Sequence, residues 1–369
     1  MNILIFIVVL IILIIVHEFG HFVVAKRSGI RVDEFGIGYP PRIWGYKPKD
    51  SETTYSINWI PFGGFVKIFG EDPDDESIKG PDKERSFVNK NKWIQAAVLV
   101  AGVFFNFIFA WLLLSLGFMT GLPSSASSFD EGIVQNAKLT LVSVLPDSPA
   151  SLAGLEVGDT IDYIGSTQQI EVIDSPSIEE AQNILSTSNY PVLIGYTNIT
   201  GESDSILVSP QSGIVGDKKA IGVSLDMVGE VKLSFFSALW YGGEFTIYVT
   251  KSIAVGLYNF VVDAFVGQAD FSQIAGPIGI VGFVGEAAKL GFVYLLSFTA
   301  IISLNLAILN LIPFPALDGG RLLFILIEKI KGSPITPKVA NVFNSIGFVV
   351  LIIIMLLVTY NDIIRIVSN

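Results

Sequence analysis

The chain has 369 residues, of which 51% are hydrophobic and 15% are charged, whereas roughly 25% of an average soluble domain is charged. This composition excludes a disordered chain, argues against an ordinary soluble enzyme, and predicts a membrane protein with a soluble portion. The absence of cysteine excludes disulfides and thiolate metal sites, and the net charge of −11 argues against nucleic acid as a partner.

Four segments are long and apolar enough to cross a bilayer, which takes about 20 residues of α-helix. They cover residues 3–25, 93–119, 292–312 and 342–360. The first has no basic residue before its apolar run and no clear cleavage site, so we expect it to be retained. The stretch 235–266 is also apolar, but Glu244, Lys251 and Asp263 interrupt it. We therefore expect amphipathic helices on a membrane face there.

The distribution of Lys and Arg predicts the orientation of these spans. The loop 26–92 holds twelve of them, whereas residues 120–291 hold six together with nineteen acidic residues. Because short loops rich in Lys and Arg stay on the cytoplasmic side, we expect loop 26–92 in the cytoplasm. The N-terminus and the acidic insert are then extracytoplasmic.

The first span carries the HExxH pattern, from His17 through Glu18 to His21, and these are the chain's two histidines. Histidines four apart lie on one face of a helix, so both imidazoles can bind one zinc ion. Glu18 is placed to take a proton from an attacking water. Polar groups at membrane depth are costly and usually functional. The alternative is a polar cluster that only joins helices.

In the predicted cytoplasmic loop, residues 53–58 and 65–69 alternate between apolar and polar side chains on either side of Gly63 and Gly64. This pattern predicts a β-hairpin with a glycine turn. Its apolar side chains favour contact with the bilayer or with the mouth of an active site.

Between residues 124 and 231 the composition changes to short β-branched runs separated by Ser, Asp, Thr and Gly. We predict strands at 139–145 and 192–196 and a short helix at 177–185 with Ser177 as its N-cap. Residues 146–159 predict a short helix that ends at Gly154, then a turn at Gly158 and Asp159. This order resembles the PDZ domains of extracytoplasmic proteases, which bind extended peptides at a sheet edge. Another β-rich domain with turn glycines is the alternative.

A catalytic zinc takes three protein ligands and one water, so the histidines need a third partner, which must be an acid. The later apolar spans offer Asp318, Glu328 and Asp362. Glu328 lies beside two lysines, which fits a position facing the cytoplasm, and Asp362 is predicted at the outer end of the last span. Asp318 follows two prolines that must break the helix. We therefore predict Asp318 as the third ligand.

These motifs together resemble the site-2 protease family of intramembrane zinc metalloproteases, in particular its bacterial regulator-of-sigma-E group. The resemblance rests on HExxH in the first span and on N-x-x-P-x-P-x-L-D-G-G at residues 310–320. It extends to residues 35–38, 61–67, 101–106 and 276–279, and thus to almost the whole chain. One departure is that the insert holds a single PDZ-like domain, whereas some members carry two.

The resemblance implies that His17, His21 and Asp318 bind Zn²⁺ and that Glu18 is the general base and later the proton donor. Residues that would hold the substrate backbone are Asn310, Gly63, Gly64, Phe65 and Val66. It implies single-span membrane proteins as substrates: anti-sigma factors already shortened by a site-1 protease, or signal-peptide remnants. The location implied is a bacterial inner membrane.

The sequence thus predicts a polytopic α-helical membrane protein with four transmembrane helices and an inserted β-rich PDZ-like domain. The predicted parts are an N-terminal membrane domain at 1–119, the PDZ-like domain at 124–231, surface helices at 232–291 and a C-terminal membrane domain at 292–369. One alternative function is a membrane-anchored PDZ scaffold with a structural or vestigial metal site. Such sites usually have four protein ligands, and Glu18 has no role in a scaffold. A metal-ion carrier would need further polar sites along the spans.

Overall fold

The computed structural model describes residues 2–368 except 73, 130–131, 168–171, 216–217, 269–274 and 334. The helices are α1 (Asn2–Arg27), α2 (Asp75–Lys79), α3 (Lys92–Thr120), α4 (Pro149–Ala153), α5 (Ile178–Thr187), α6 (Phe235–Phe265), α7 (Pro277–Leu290), α8 (Phe292–Leu311), α9 (Asp318–Lys331) and α10 (Pro337–Ser368). The strands are β1 (Val32–Tyr46), β2 (Thr54–Ile68), β3 (Leu122–Ser125), β4 (Val134–Val144), β5 (Thr160–Ser166), β6 (Val172–Asp174), β7 (Val192–Thr197), β8 (Ser203–Val208), β9 (Gln211–Val215), β10 (Lys218–Ala220) and β11 (Val223–Val231). The chain divides into two compact units, the first formed by Met1–Leu116 and Leu239–Asn369 and the second by Gly117–Ala238.

Five helices within the described ranges are long and apolar enough to cross a membrane, namely α1, α3, α6, α8 and α10. Four of them coincide with the predicted spans. The fifth, α6, is the segment for which the interrupting charges predict a position on the membrane surface. It is one continuous helix of 31 residues and meets the length and composition of a span, so the predicted count of four is not confirmed.

The first unit packs its helices through small residues and a few polar contacts. The indole Nε1 of Trp111 on α3 donates to the carbonyl of Leu239 on α6, at 2.8 Å. Asp362 near the end of α10 is buried, and its carboxylate accepts the main-chain N–H groups of Gly276 (3.1 Å) and Gly279 (2.8 Å). These amides are the unsatisfied donors at the start of α7, where a negative charge is favourable. Asp362 therefore joins α10 to α7.

The strands β1 and β2 form a sheet of four segments. Residues 34–37 of β1 pair with 64–67 of β2 on one side and with 54–57 on the other, and residues 42–46 of β1 continue the sheet beyond 55–58. The predicted hairpin is therefore wrong in its pairing: residues 53–58 and 65–69 do not pair with one another, because β1 lies between them. Residues 64–67 form an edge of this sheet, and β2 packs against α1.

The second unit is built on a seven-stranded sheet in the order β3–β11–β4–β5–β7–β8, with β6 paired to β5. The predicted strands are confirmed within β4 and β7. The predicted helix is α5, whose N-cap Ser177 forms a reciprocal capping box with Glu180. The short helix α4 ends at Gly154, and Gly158 and Asp159 precede β5, as predicted. The core of the unit consists of apolar side chains from the sheet, α4 and α5: Leu139, Leu141, Ala150, Ile161, Ile164, Ala181, Val192 and Ile194.

Candidate metal centre

Helix α1 places the two histidines one turn apart on a buried face. His17 and His21 are each 7% exposed, and their Nε2 atoms lie 3.2 Å apart. The side chains of α1 before His17 are apolar, from Ile3 to Val16, so the helix can pack inside a membrane up to the point where the polar side chains begin. At that point the two imidazoles direct their Nε2 atoms towards one another.

Asp318 reaches the same point from the distant end of the chain. Helix α8 ends at Leu311 and α9 begins at Asp318, since the prolines at 313 and 315 cannot continue a helix. Asp318 Oδ2 lies 3.0 Å from His17 Nε2 and 3.4 Å from His21 Nε2. One ligand atom from each of the three residues lies within 4.8 Å of the others. The structure thus brings together the three residues predicted as metal ligands.

The two other candidate acids lie elsewhere. Glu328 accepts from Lys92 Nζ at 2.5 Å and from the main-chain N–H of Ile335 at 2.7 Å. Asp362 accepts the amides at the start of α7. Both carboxylates have partners of their own, so they are not available as metal ligands.

Val98, Gly102 and Asn106 follow one another at intervals of four residues and lie on one face of α3. This face packs against His17 and His21. The carbonyl of Val98 can only accept, so His21 Nδ1 donates to it at 2.8 Å and its Nε2 keeps a free lone pair. The side-chain amide of Asn106 lies 3.2 Å from His17 Nδ1. A Cβ on Gly102 would lie 2.5 Å from His21 Nε2, so only glycine leaves room beside the nitrogens.

Sequence reasoning did not assign a role to these residues of α3. Their spacing alone is a weak signal, because any helix has residues four apart on each face. The stronger signal is the amide of Asn106 in the middle of a helix of 29 mostly apolar residues, since polar groups in such helices are seldom without a function.

Glu18 lies beside the edge of the β1–β2 sheet. A Cβ on Gly64 would lie 3.6 Å from Glu18 Cγ. Gly63 is buried next to this edge, and Phe65 is half-buried. Four of the five predicted substrate-binding residues therefore belong to the strand segment that runs past Glu18.

The fifth predicted substrate residue, Asn310, is the penultimate residue of α8 and is half-buried. No hydrogen bond of its side chain is found among the residues that the structure describes. The structure does not join Asn310 to the histidines or to Asp318 by such a contact.

Comparison with known proteins shows to which family the chain belongs. The sequence profile of peptidase family M50 matches residues 5–354. The chain is 32% identical over 363 residues to a Clostridium acetobutylicum protein named as a candidate zinc metalloprotease, with 98% of this chain and 97% of that one covered. It is 30% identical over 434 residues to the zinc metalloprotease RasP of Oceanobacillus iheyensis, covering 96% of each.

A third relative is the regulator of sigma-W protease RasP of Bacillus subtilis, 30% identical over 436 residues, with 98% of this chain and 97% of that one covered. The similarity extends over nearly the full length of both proteins, and the described part of the chain contains five apolar helices of membrane-spanning length. The chain is thus a multi-pass membrane protein that belongs to peptidase family M50, the site-2 protease family of zinc-dependent intramembrane metalloendopeptidases.

Proposed function

We propose that His17, His21 and Asp318 hold the zinc ion of this protease and that Glu18 is its general base. The observation that carries this proposal is the meeting of the three ligand atoms within 4.8 Å, although Asp318 and His17 are 301 residues apart in sequence. Two imidazoles and a carboxylate are a ligand set of catalytic zinc, which leaves a fourth position for water or substrate. The space beside Gly102, which a Cβ would fill, supports the fit.

When bound, zinc supplies a Lewis acid that activates water and polarises the scissile carbonyl. Glu18 takes one proton from the attacking water as the C–O bond forms. It then delivers that proton to the departing amide nitrogen as the C–N bond breaks, so the products are a carboxyl and an amino terminus. Glu18 can do both because it lies beside the ligands on α1 without being one of them.

The edge of the β1–β2 sheet is proposed to hold the substrate in an extended form. A helical peptide uses its carbonyls in its own hydrogen bonds, so a transmembrane segment has to unwind before a carbonyl can be attacked. Within the ranges that the structure describes, residues 64–67 pair with β1 on one side only, and an extended peptide can add to the other side by main-chain hydrogen bonds. The position of Gly64 next to Glu18 supports cleavage at a residue bound on this edge. We keep Asn310 as a further substrate contact, which only the family motif supports.

The substrates proposed are single-span membrane proteins, such as anti-sigma factors already shortened by a site-1 protease, or signal-peptide remnants. The name of the Bacillus subtilis relative, a regulator of sigma-W protease, supports the first of these. The bacterial relatives support a bacterial inner membrane as the location, and the Lys and Arg content of loop 26–92 supports a position of this loop in the cytoplasm. The N-terminus and the second unit would then be extracytoplasmic.

We further propose that the second unit, with a core at 124–231, is PDZ-like and binds extended peptides. Strand β11 pairs with β4 from Val223 to Val231, whereas β3 pairs only with Val228–Val231 on its other side. Within the described residues, the first half of β11 therefore has an edge with no strand partner. This half-open edge lies next to α5, whose residue Ile178 packs against the same core as Val223. Such an edge suits strand addition.

The proposal is tested on the purified full-length protein in detergent by zinc analysis together with cleavage of a model transmembrane substrate. Glu18→Gln is expected to keep zinc, because Glu18 is not a ligand, and to lose cleavage by at least about 100-fold, as expected for a missing general base. Glu328→Gln is the matched control and is expected to keep both, since Glu328 is paired with Lys92.

Two outcomes would contradict the proposal. Wild-type cleavage by Glu18→Gln would exclude the assigned base. Retention of zinc by a folded His17→Ala variant would exclude the assigned metal site, and it would favour the scaffold or carrier alternatives if cleavage were also absent from the wild type.

A further inference from the structure

Asn106 is fully buried in the middle of α3, and its side-chain oxygen Oδ1 has no hydrogen-bond partner in the described part of the chain. The main-chain carbonyl of the same residue accepts from Ser303 Oγ on α8 at 2.9 Å. This contact between α3 and α8 uses the main-chain carbonyl of Asn106, and the side-chain amide of Asn106 takes no part in it. A buried amide oxygen without a donor is unfavourable, so the side chain needs another explanation.

On the side of the metal centre, Asn106 Nδ2 lies 3.2 Å from Nδ1 of His17. In this orientation Nδ1 would have to accept, which places the ring proton on Nε2. A metal bound through Nε2 requires the opposite tautomer, with the proton on Nδ1. An amide presents an oxygen and a nitrogen of the same shape, and only the oxygen can accept a hydrogen bond.

We infer that Asn106 is a positioning residue of the metal centre, which turns its Oδ1 to the Nδ1–H of His17 when zinc is bound. This inference rests on the proposed zinc site. The amide then fixes both the tautomer and the rotation of the His17 ring, in the way that outer hydrogen-bond acceptors fix metal-binding histidines.

The hydrogen bond of His21 supports this role of Asn106. His21 Nδ1 already donates to the carbonyl of Val98 at 2.8 Å, and Val98 lies on α3, as Asn106 does. Helix carbonyls point towards the C-terminus, whereas side chains lean towards the N-terminus, so the Val98 oxygen and the Asn106 amide approach one another along α3. One helix face therefore provides an acceptor for each histidine, and Gly102 between them provides the space for their Nε2 atoms.

The test compares Asn106→Leu, which keeps the size of the side chain but removes the acceptor, with Asn106→Asp, which offers oxygens only. Zinc affinity of the full-length protein is measured by competition with a chelator, and the absorption spectrum after cobalt substitution reports the ligand geometry. Asn106→Leu is expected to bind zinc about 10- to 100-fold more weakly and to change the cobalt spectrum. Asn106→Asp is expected to restore both. Asn305→Leu is the matched control, because Asn305 donates to Ile301 of its own helix, and it is expected to bind zinc as the wild type does.

Wild-type zinc affinity in Asn106→Leu would overturn the inference and leave Asn106 as a packing residue. An equal loss in Asn106→Asp would also overturn it, because the acceptor would then not be the cause. If Asn106→Leu fails to fold, Asn106→Ala replaces it in the same comparison. The zinc site itself is tested separately by His17→Ala: zinc binding lost there but kept in Asn106→Leu refutes only the role of Asn106.

Discussion

At the scale of single residues, the chemistry of the centre depends on side chains that differ in how they are held. His21 is fixed by a carbonyl of α3, whereas Asp318 is held at the start of α9 by the chain break between α8 and α9. Asp318 is also the most accessible of the three, with a side chain 22% exposed against 9% for His17. Removing its charge is therefore the cleanest test of the ligand set.

Asp318→Asn is expected to lower zinc occupancy and to abolish cleavage, because an amide is a poorer zinc ligand than a carboxylate of the same shape. Zinc content after dialysis and cleavage of a transmembrane substrate measure the two effects. Glu328→Gln is expected to change neither. Full zinc content and activity in Asp318→Asn would refute the assignment of the third ligand.

Asp362→Asn is expected to separate stability from metal binding. The Asp362 carboxylate accepts two amides at the start of α7, and loss of such a capping charge costs about 1 kcal/mol. The variant should therefore unfold at a lower temperature while it retains zinc at the wild-type level. Loss of zinc at unchanged thermal stability would contradict this role.

Gly102→Ala is expected to lose zinc affinity, and with it about 100-fold in cleavage rate, the loss that a misplacement of about 1 Å can cause. The added methyl would lie 2.5 Å from His21 Nε2, so either the rings or α3 must move. Gly117→Ala on the same helix is the control, because its Cβ would meet Leu122 only at an ordinary contact distance of 3.4 Å. Equal zinc affinity in both variants would show that α3 does not limit the space at the centre.

At the scale of elements, local sequence patterns predicted the two segments of β2 in the β1–β2 sheet but not their pairing. Alternation and glycines identified both halves of β2, because these signals are local. The partner of each half is residues 34–37 of β1, and the choice of partner depends on tertiary contacts that local patterns do not contain. The helices and HExxH were predictable for the opposite reason, since helix periodicity and motif spacing lie within one segment.

Val66→Pro tests whether the strand edge holds substrate. Phe69 donates its N–H to the carbonyl of Arg31 at 2.9 Å, and alternation of the main-chain groups along an antiparallel strand turns the amide of Val66 to the side away from β1. Proline removes this donor and is expected to lower cleavage at least about tenfold, the effect of one lost hydrogen bond of roughly 1.4 kcal/mol. Zinc content should not change.

The matched control is Val66→Ala, which shortens the side chain and keeps the amide. It is expected to cleave substrate at a rate close to the wild type, provided that the protein is folded. If Val66→Pro and Val66→Ala cleave equally well, main-chain addition at this edge is excluded.

At the scale of the whole molecule, the three proposed metal ligands all belong to the first unit, although that unit is made from both ends of the sequence. Composition predicts an insert at 124–231, because this acidic, β-rich stretch differs from the apolar segments on either side. The proposed third ligand follows from exclusion of the other acids and from the family motif at residues 310–320, since neither helix periodicity nor local spacing indicates contact between Asp318 and His17. The proposed roles of Gly102 and Asn106 could not be predicted, because they depend on how α3 packs against α1.

Deletion of residues 122–231 is expected to leave a folded protease that cleaves already shortened substrates. The main-chain N–H of Leu233 donates to the carbonyl of Phe118 at 2.8 Å, so the two ends of the deletion are close and a short Gly/Ser linker can join them. Zinc content checks the folding, and cleavage of shortened and unshortened substrates measures the effect. Loss of cleavage of shortened substrates by a folded, zinc-loaded deletion variant would show that the second unit takes part in the cleavage itself.

The distance of 301 residues between His17 and Asp318 also has a consequence for biosynthesis. Ribosomes add roughly 5–20 residues per second, so the growing chain carries its histidines for about 15–60 s before its aspartate is made. During that time the nascent protein is inserted in the membrane beside other newly made transmembrane segments, and it lacks the third of its proposed ligands. With Asp318 as the proposed third ligand, we expect the protease to stay inactive until translation is nearly finished, so that fragments from interrupted translation leave their neighbours intact.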